Sequence, residues 1–118
     1  MSAEWKHPKI EHLVPTHWNW VVSCPWELVM GKNVDIGCFT YINARYEVYI
    51  GENTMIGSHC SIYSEDTENN IKGKVRIGKN VKIGSHSLIL PGSKIKDNEK
   101  IKAYSIIRGE KYGKKTNR

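Results

Sequence analysis

An aliphatic residue recurs every six positions through most of this chain, and that period excludes most folds. Near the end it falls at Ile83, Ile89, Ile95, Ile101 and Ile107. Upstream the same step links Met30, Ile36 and Ile42, then Ile50, Ile56 and Ile62, then Ile71, Ile77 and Ile83. An amphipathic helix needs apolar residues three and four apart, and a hairpin sheet needs strict alternation broken by turn dipeptides. Neither produces a step of six. The second position of each unit is often Gly (Gly31, Gly37, Gly51, Gly57, Gly78, Gly84) and the fourth often Asn (Asn33, Asn53, Asn80, Asn98), types that tolerate left-handed backbone angles. The fifth is small or β-branched, as in Val34, Thr54, Cys60, Val81, Ser87, Ser93 and Ser105. It lies two residues before the next aliphatic, so both face one side of a short strand. Short strand, tight corner, short strand: this builds a prism. Three units per turn predict an all-β parallel β-helix of about four coils, roughly 20 Å tall at ~4.8 Å per coil.

Two units are long. Eight residues separate Ile42 from Ile50 and nine separate Ile62 from Ile71. With both read as insertions, the count puts Ile42, Ile62, Ile83 and Ile101 on one face. Ser64, Ser85 and Ala103 then share a column, with Asn43 near it on the coil below. The organisation expected is a capping segment over 1–29, a β-helix over 30–107 with a loop insertion at 63–70, and a basic tail over 108–118. Trp5, Trp18, Trp20 and Trp26 all precede the regular units and are expected to cover the open end of the prism, whose strand edges and apolar interior need a cap.

Composition narrows the function. At 118 residues the chain is one domain, small for one that must also enclose a ligand, so association is expected. No apolar run reaches the ~18 residues of a membrane span, and the charged opening "MSAEWKHPKIEH" lacks an apolar signal segment, so a cytoplasmic location is expected. Cys24, Cys38 and Cys60 form no CxxC pair and are read as buried thiols. The net charge of +6 arises entirely after residue 93, where nine Lys or Arg face three acids. Such a terminus suits a polyphosphate ligand, a nucleic acid or plain solvation. In the tail over 108–118 the one aromatic residue is Tyr112, which speaks against nucleic acid.

The stretches "YINARYEVYIGEN", "IGSHCSIYS" and "IGSHSLILPG", followed by "KDN" and "AYSII", resemble the hexapeptide-repeat acyltransferases. The nearest likeness is to galactoside- and maltose-type sugar O-acetyltransferases and to nucleotide-sugar N-acetyltransferases, over Met30 to about Ile107. The resemblance implies a left-handed coil, although parallel crossovers are generally right-handed. It also implies a homotrimer that holds acetyl-CoA or another acyl-CoA as co-substrate in grooves between subunits, with a sugar or nucleotide-linked amino sugar as acceptor. Ser85 and Ala103 match positions whose backbone groups hold the pantetheine arm of CoA, with His86 beside them. Lys102 and Arg108, together with Lys111, Lys114 and Lys115, are expected at the CoA phosphates. Asn43 matches an acceptor-binding asparagine, and Ser64 and Asp66 are expected beside it.

The general base is less clearly marked. In these families it is a histidine of the long loop, which here reads "YSEDTENNIKG" and has none. Either Ser64, Glu65, Asp66 or Glu68 of that loop supplies the acceptor contacts and base, with Glu65 taken as the catalytic candidate, or His59 reaches in from a neighbouring subunit, or the substrate's own groups assist. A carboxylate of ordinary pKa, about 4.3, suits draining a proton from an ammonium better than activating an alcohol, which favours an amino-sugar acceptor. His59 and His86 both take the unit's Asn position, where a polar corner residue is the plainer reading. Two alternatives stand beside the transferase. One is a catalytically degenerate β-helix trimer that binds or scaffolds, consistent with the missing loop histidine and the short C-terminus. The other is a γ-type carbonic anhydrase, whose paired-histidine zinc spacing is absent; no metal ligands are assigned.

Overall fold

The computed structural model describes residues 4–113, and these form a parallel β-helix of about four turns without an α-helix. Strands β1 (Val21–Ser23), β2 (Leu28–Met30) and β3 (Asp35–Ile36) make the first coil, and β4 (Tyr41–Asn43), β5 (Val48–Ile50) and β6 (Met55–Ile56) the second. The third begins with β7 (Ser61–Tyr63), is interrupted by a hairpin of β8 (Glu65–Asp66) and β9 (Ile71–Lys72), and resumes with β10 (Val75–Ile77) and β11 (Lys82–Ile83). The fourth holds β12 (Leu88–Ile89), β13 (Lys94–Ile95) and β14 (Lys100–Ile101), and β15 (Ile106–Ile107) opens a fifth. Stacking produces three flat faces: β1-β4-β7-β12-β15, β2-β5-β10-β13 and β3-β6-β11-β14, all in parallel register.

The repeat is realised as an interior of stacked isoleucines. Val22, Ile42, Ile62 and Ile89 on the first face and Ile50 and Ile77 on the second are fully buried, and Ile36, Ile56, Ile83 and Ile101 line the third. Each coil satisfies the small fifth-position side chains of its neighbour. Thr40 Oγ1 donates to the Gly57 carbonyl at 2.8 Å, Thr54 Oγ1 to Gly78 at 2.7 Å, and Ser87 Oγ to Lys102 at 3.2 Å. Among the described residues no buried side-chain nitrogen or oxygen is left without a partner. The glycines ahead of each corner are a packing requirement: a Cβ on Gly37, Gly57 or Gly84 would meet the next coil's backbone at 2.4, 2.6 or 2.3 Å.

The register corrects the sequence count. Ile62 pairs with Ile89 and Ile56 with Ile83, so Ile83 and Ile101 lie on the third face and not with Ile42 and Ile62. The cause is Ile71. Its six-residue spacing from Ile77 imitates a prism position, but Ile71 sits half-buried in the hairpin, paired with Asp66. The true step is from Ile62 to Ile77, and the insertion occupies residues 64–74 rather than 63–70. Extra residues also separate Val22 from Met30 and Ile42 from Ile50. Every excess leaves from the same edge, the corner between the first and second faces.

The cap also differs from expectation. The β-helix begins at Val21, before Met30, because β1 pairs with β4. Residues 11–14 lie along the free edge of β1, with the Leu13 N–H donating to Val22 at 2.8 Å, so this edge is covered. Trp20 joins the core and Trp5 packs against it, whereas Trp18 and Trp26 are 53% and 70% exposed.

Ile77→Ala should cost about 2–5 kcal/mol, the usual loss for a fully buried aliphatic. Ile71→Ala should cost less than about 1 kcal/mol, as a half-buried hairpin residue. Urea unfolding of the two variants separates them, and an equal or larger loss at Ile71 restores the six-residue count.

Candidate functional site

The corner between the third and first faces carries two parallel columns. Cys38, Ser58, Ser85 and Ala103 form one, and Phe39, His59, His86 and Tyr104 the other. The second column is left-handed throughout, with φ of 63°, 56°, 60° and 62°. For residues other than glycine this conformation costs about 1–2 kcal/mol each. Each is held by its N–H donating one coil back: His59 to Cys38, His86 to Ser58 and Tyr104 to Ser85, all at 3.0 Å. The outward side chains then stack at nearly the coil spacing. Ring centroids lie 5.2 Å apart for Phe39 and His59, 4.8 Å for His59 and His86, and 4.9 Å for His86 and Tyr104, the last two pairs nearly parallel at 7°. His59 is thus an exposed ring with Phe39 on one side and His86 stacked on the other.

A groove of about 430 Å³ runs beside this ladder on the third face. Its floor is Gly37, Gly57, Gly84 and Ala103, where the near absence of Cβ atoms exposes backbone, and its rim carries Asp35, Met55, Lys82 and Lys100. The amides of Ser85 and Ala103, one coil apart, donate to no acceptor among the described residues. Lys82 and Lys100 on this rim, and Lys102 at the adjoining corner, form no ion pair among the described residues. Ser85 and Ala103 stack one coil apart as counted, with Ser58 continuing their column; of these Ala103 lines the groove, together with Lys82 and Lys100. The displaced register hid Ser58, Lys82 and Lys100; counting Ile62 to Ile77 as one step would have placed them.

Ser64 and Asn43 lie elsewhere, at the insertion corner, so Ser64 does not share the column of Ser85 and Ala103. Ser64 is fully buried; its Oγ donates to the Asn43 carbonyl at 2.8 Å and accepts the Tyr46 N–H at 3.0 Å. Asn43 Oδ1 accepts the Arg45 N–H at 3.1 Å. Both side chains hold the chain where it leaves the prism. Glu65 is half-buried, 3.7 Å from Arg45. Strand β7 separates Glu65 from His59, so one chain does not bring these two candidate bases together.

Asp66 is engaged by the C-terminal turn. Tyr112 donates its hydroxyl to the Asp66 carboxylate at 2.5 Å and Asn69 Nδ2 donates at 2.9 Å, and these bonds hold the carboxyl below its ordinary range. Burial and the bond to Asp66 push the Tyr112 phenol up. Arg108 follows β15 and also lies at this corner, whereas Lys102 follows β14 across the first face, so the two do not flank one phosphate run. Lys114 and Lys115 lie outside the described residues. Of the cysteines only Cys60 is buried, which pushes its thiol up; Cys38 is exposed. Among the described residues no three His, Cys, Asp or Glu side chains converge as a metal site.

Comparison of the chain with protein-family models, with curated proteins and with solved structures returns no match.

Because the folded Asp66 pKa is depressed, its tether is fully present above the ordinary carboxylate value of about 4 and is lost as pH falls through the folded pKa. In Tyr112→Phe the Asp66 midpoint, followed by carboxyl NMR, should rise toward the ordinary value. An unchanged midpoint removes the tether.

Proposed function

We propose that the protein is a CoA-dependent acyltransferase, with acetyl-CoA as the acyl donor and a sugar or nucleotide-linked amino sugar as the acceptor. The observation that carries this reading is the third-face groove: a strip of exposed backbone with two unpaired amides one coil apart and lysines along its rim. An extended pantetheine arm offers carbonyls along its length that suit such amides, and Lys82, Lys100 and Lys102 suit the phosphates beyond it. The resemblance of the corner sequences to hexapeptide-repeat acyltransferases points the same way.

In this reading the acceptor nitrogen or oxygen attacks the thioester carbonyl, the acceptor's proton passes to a base, the C–S bond breaks, and the departing CoA thiolate takes up that proton. His59, an exposed ring at the groove's corner, is one candidate base. Glu65 serves if a second copy presents its hairpin there, and a homotrimer whose seams join the groove corner of one copy to the insertion corner of the next does this. Ser64 and Asp66 are withdrawn from direct acceptor contact by their internal bonds. That same observation favours a second reading, a trimer of this fold that binds acyl-CoA without turning it over.

Acetyl-CoA at a hundred times its Kd should stabilise the native state by about 2.7 kcal/mol, read as a rise in Tm. Ala103 is exposed, so Ala103→Phe should fill the groove and abolish that rise while leaving the unliganded Tm in place. No rise at millimolar acetyl-CoA ends the acyltransferase reading. With turnover established on an amino-sugar acceptor, His59→Ala should lower kcat roughly 10²- to 10⁴-fold while keeping the acetyl-CoA-induced rise. Glu65→Ala, assayed separately, assigns the base to the hairpin if it alone lowers kcat.

A further inference from the structure

We infer that the insertion corner holds a second binding site, a cleft for a soluble phosphate or diphosphate ester in which Arg108, Lys94, Lys72 and Lys111 surround the corner glycines Gly73, Gly92 and Gly109. Three separate stretches of chain converge there around a cavity of about 360 Å³: the end of the hairpin, the β12–β13 corner and the C-terminal turn. Four cationic residues and one carboxylate, Glu110, line it, and the Lys72 ammonium lies 5.3 Å over the Tyr46 ring at the cleft's edge.

None of the four cations forms an ion pair among the described residues. Their neighbours do: Arg45 with Glu65, Lys74 with Glu47 and Lys79 with Glu52. Arg108 is the informative member. It is half-buried, and its guanidinium donates to no acceptor among the described residues. A guanidinium taken partly out of water normally finds an acceptor, and its planar fork matches two phosphate oxygens.

The walls are fixed before any ligand arrives. Lys111 Nζ donates to the Lys72 carbonyl at 3.0 Å, and the bond from Tyr112 to Asp66 fastens the turn to the hairpin. Gly92, at φ +81°, turns the chain without a side chain to fill the space. No apolar or aromatic side chain lines the cleft. A membrane-binding face needs apolar residues beside its cations, and a single-stranded nucleic-acid site needs rings on which bases stack. A compact soluble anion is the chemistry that remains. The cleft lies at a different corner from the acyl-CoA groove, so the two readings fail separately: Ala103→Phe tests the groove without touching it.

The test is titration with inorganic pyrophosphate at fixed ionic strength, following the backbone amides of Gly73, Gly92 and Gly109 by NMR. Saturable binding of one ion per chain that moves these three amides is expected. Arg108→Gln should weaken it at least tenfold, while Lys32→Gln, which removes the same charge at a remote corner, should change it less than twofold. Thermal melts confirm that both variants fold. Equal weakening by the two variants means diffuse attraction and overturns the inference, as does a titration that leaves the glycine amides unmoved. Arg108-dependent sedimentation with phosphatidylglycerol vesicles, or Arg108-dependent binding of a single-stranded oligonucleotide, in a protein that ignores pyrophosphate also overturns it.

Discussion

The whole molecule depends on one repeated contact, the stacking of an interior aliphatic residue on its counterpart a coil away while the strands that carry them exchange parallel hydrogen bonds. Each full burial of an isoleucine contributes about 1.5–3 kcal/mol, and the columns through Ile42, Ile50 and Ile56 repeat it in every coil. The contact also sets a spacing. Because successive coils lie ~4.8 Å apart, any residue type repeated at a corner becomes a ladder at that pitch. The ring stack from Phe39 to Tyr104 and the unpaired amides of Ser85 and Ala103 are consequences of that spacing.

The three corners divide the labour. The second–third corner repeats Asn33, Asn53, Asn80 and Asn98 in left-handed conformation and simply turns the chain. The third–first corner replaces asparagine by rings, gaining stacking of about 0.5–1.5 kcal/mol per pair that offsets part of the conformational cost. The first–second corner takes every insertion. Its hairpin is tied down through Ser64 at its base and through Asp66 and Tyr112 near its tip, so the C-terminal turn and the hairpin form one unit on the prism's edge. Separate corners keep the chemistry of the groove apart from the charge of the insertion edge.

Much of the fold was legible in the chain because its period matches no other regular structure. The site was legible only in part. Ser85 and Ala103 are separated by one uninterrupted coil, so simple counting paired them correctly. Ser64 lies across the insertion from both, and there counting failed: Ile71 stands six residues before Ile77 and mimics a core position, yet its side chain packs in a hairpin. Similar limits apply to single residues. The four tryptophans all precede the regular repeat, so the sequence grouped them as one cap, whereas only Trp20 is buried and Trp26 is exposed.

The sequence by itself determined the β-helix, its three-sided cross-section and the residue types at the corners, because hydrophobic periodicity and left-handed tolerance are properties of consecutive residues. Only the tertiary structure decided which residues share a corner. An insertion of unknown path between two coils shifts every later residue by an amount that local chemistry does not encode. The partition of Lys102 from Arg108, the seclusion of Ser64 and the convergence of four unpaired cations beside Gly92 all follow from where that insertion leaves the prism and where it returns.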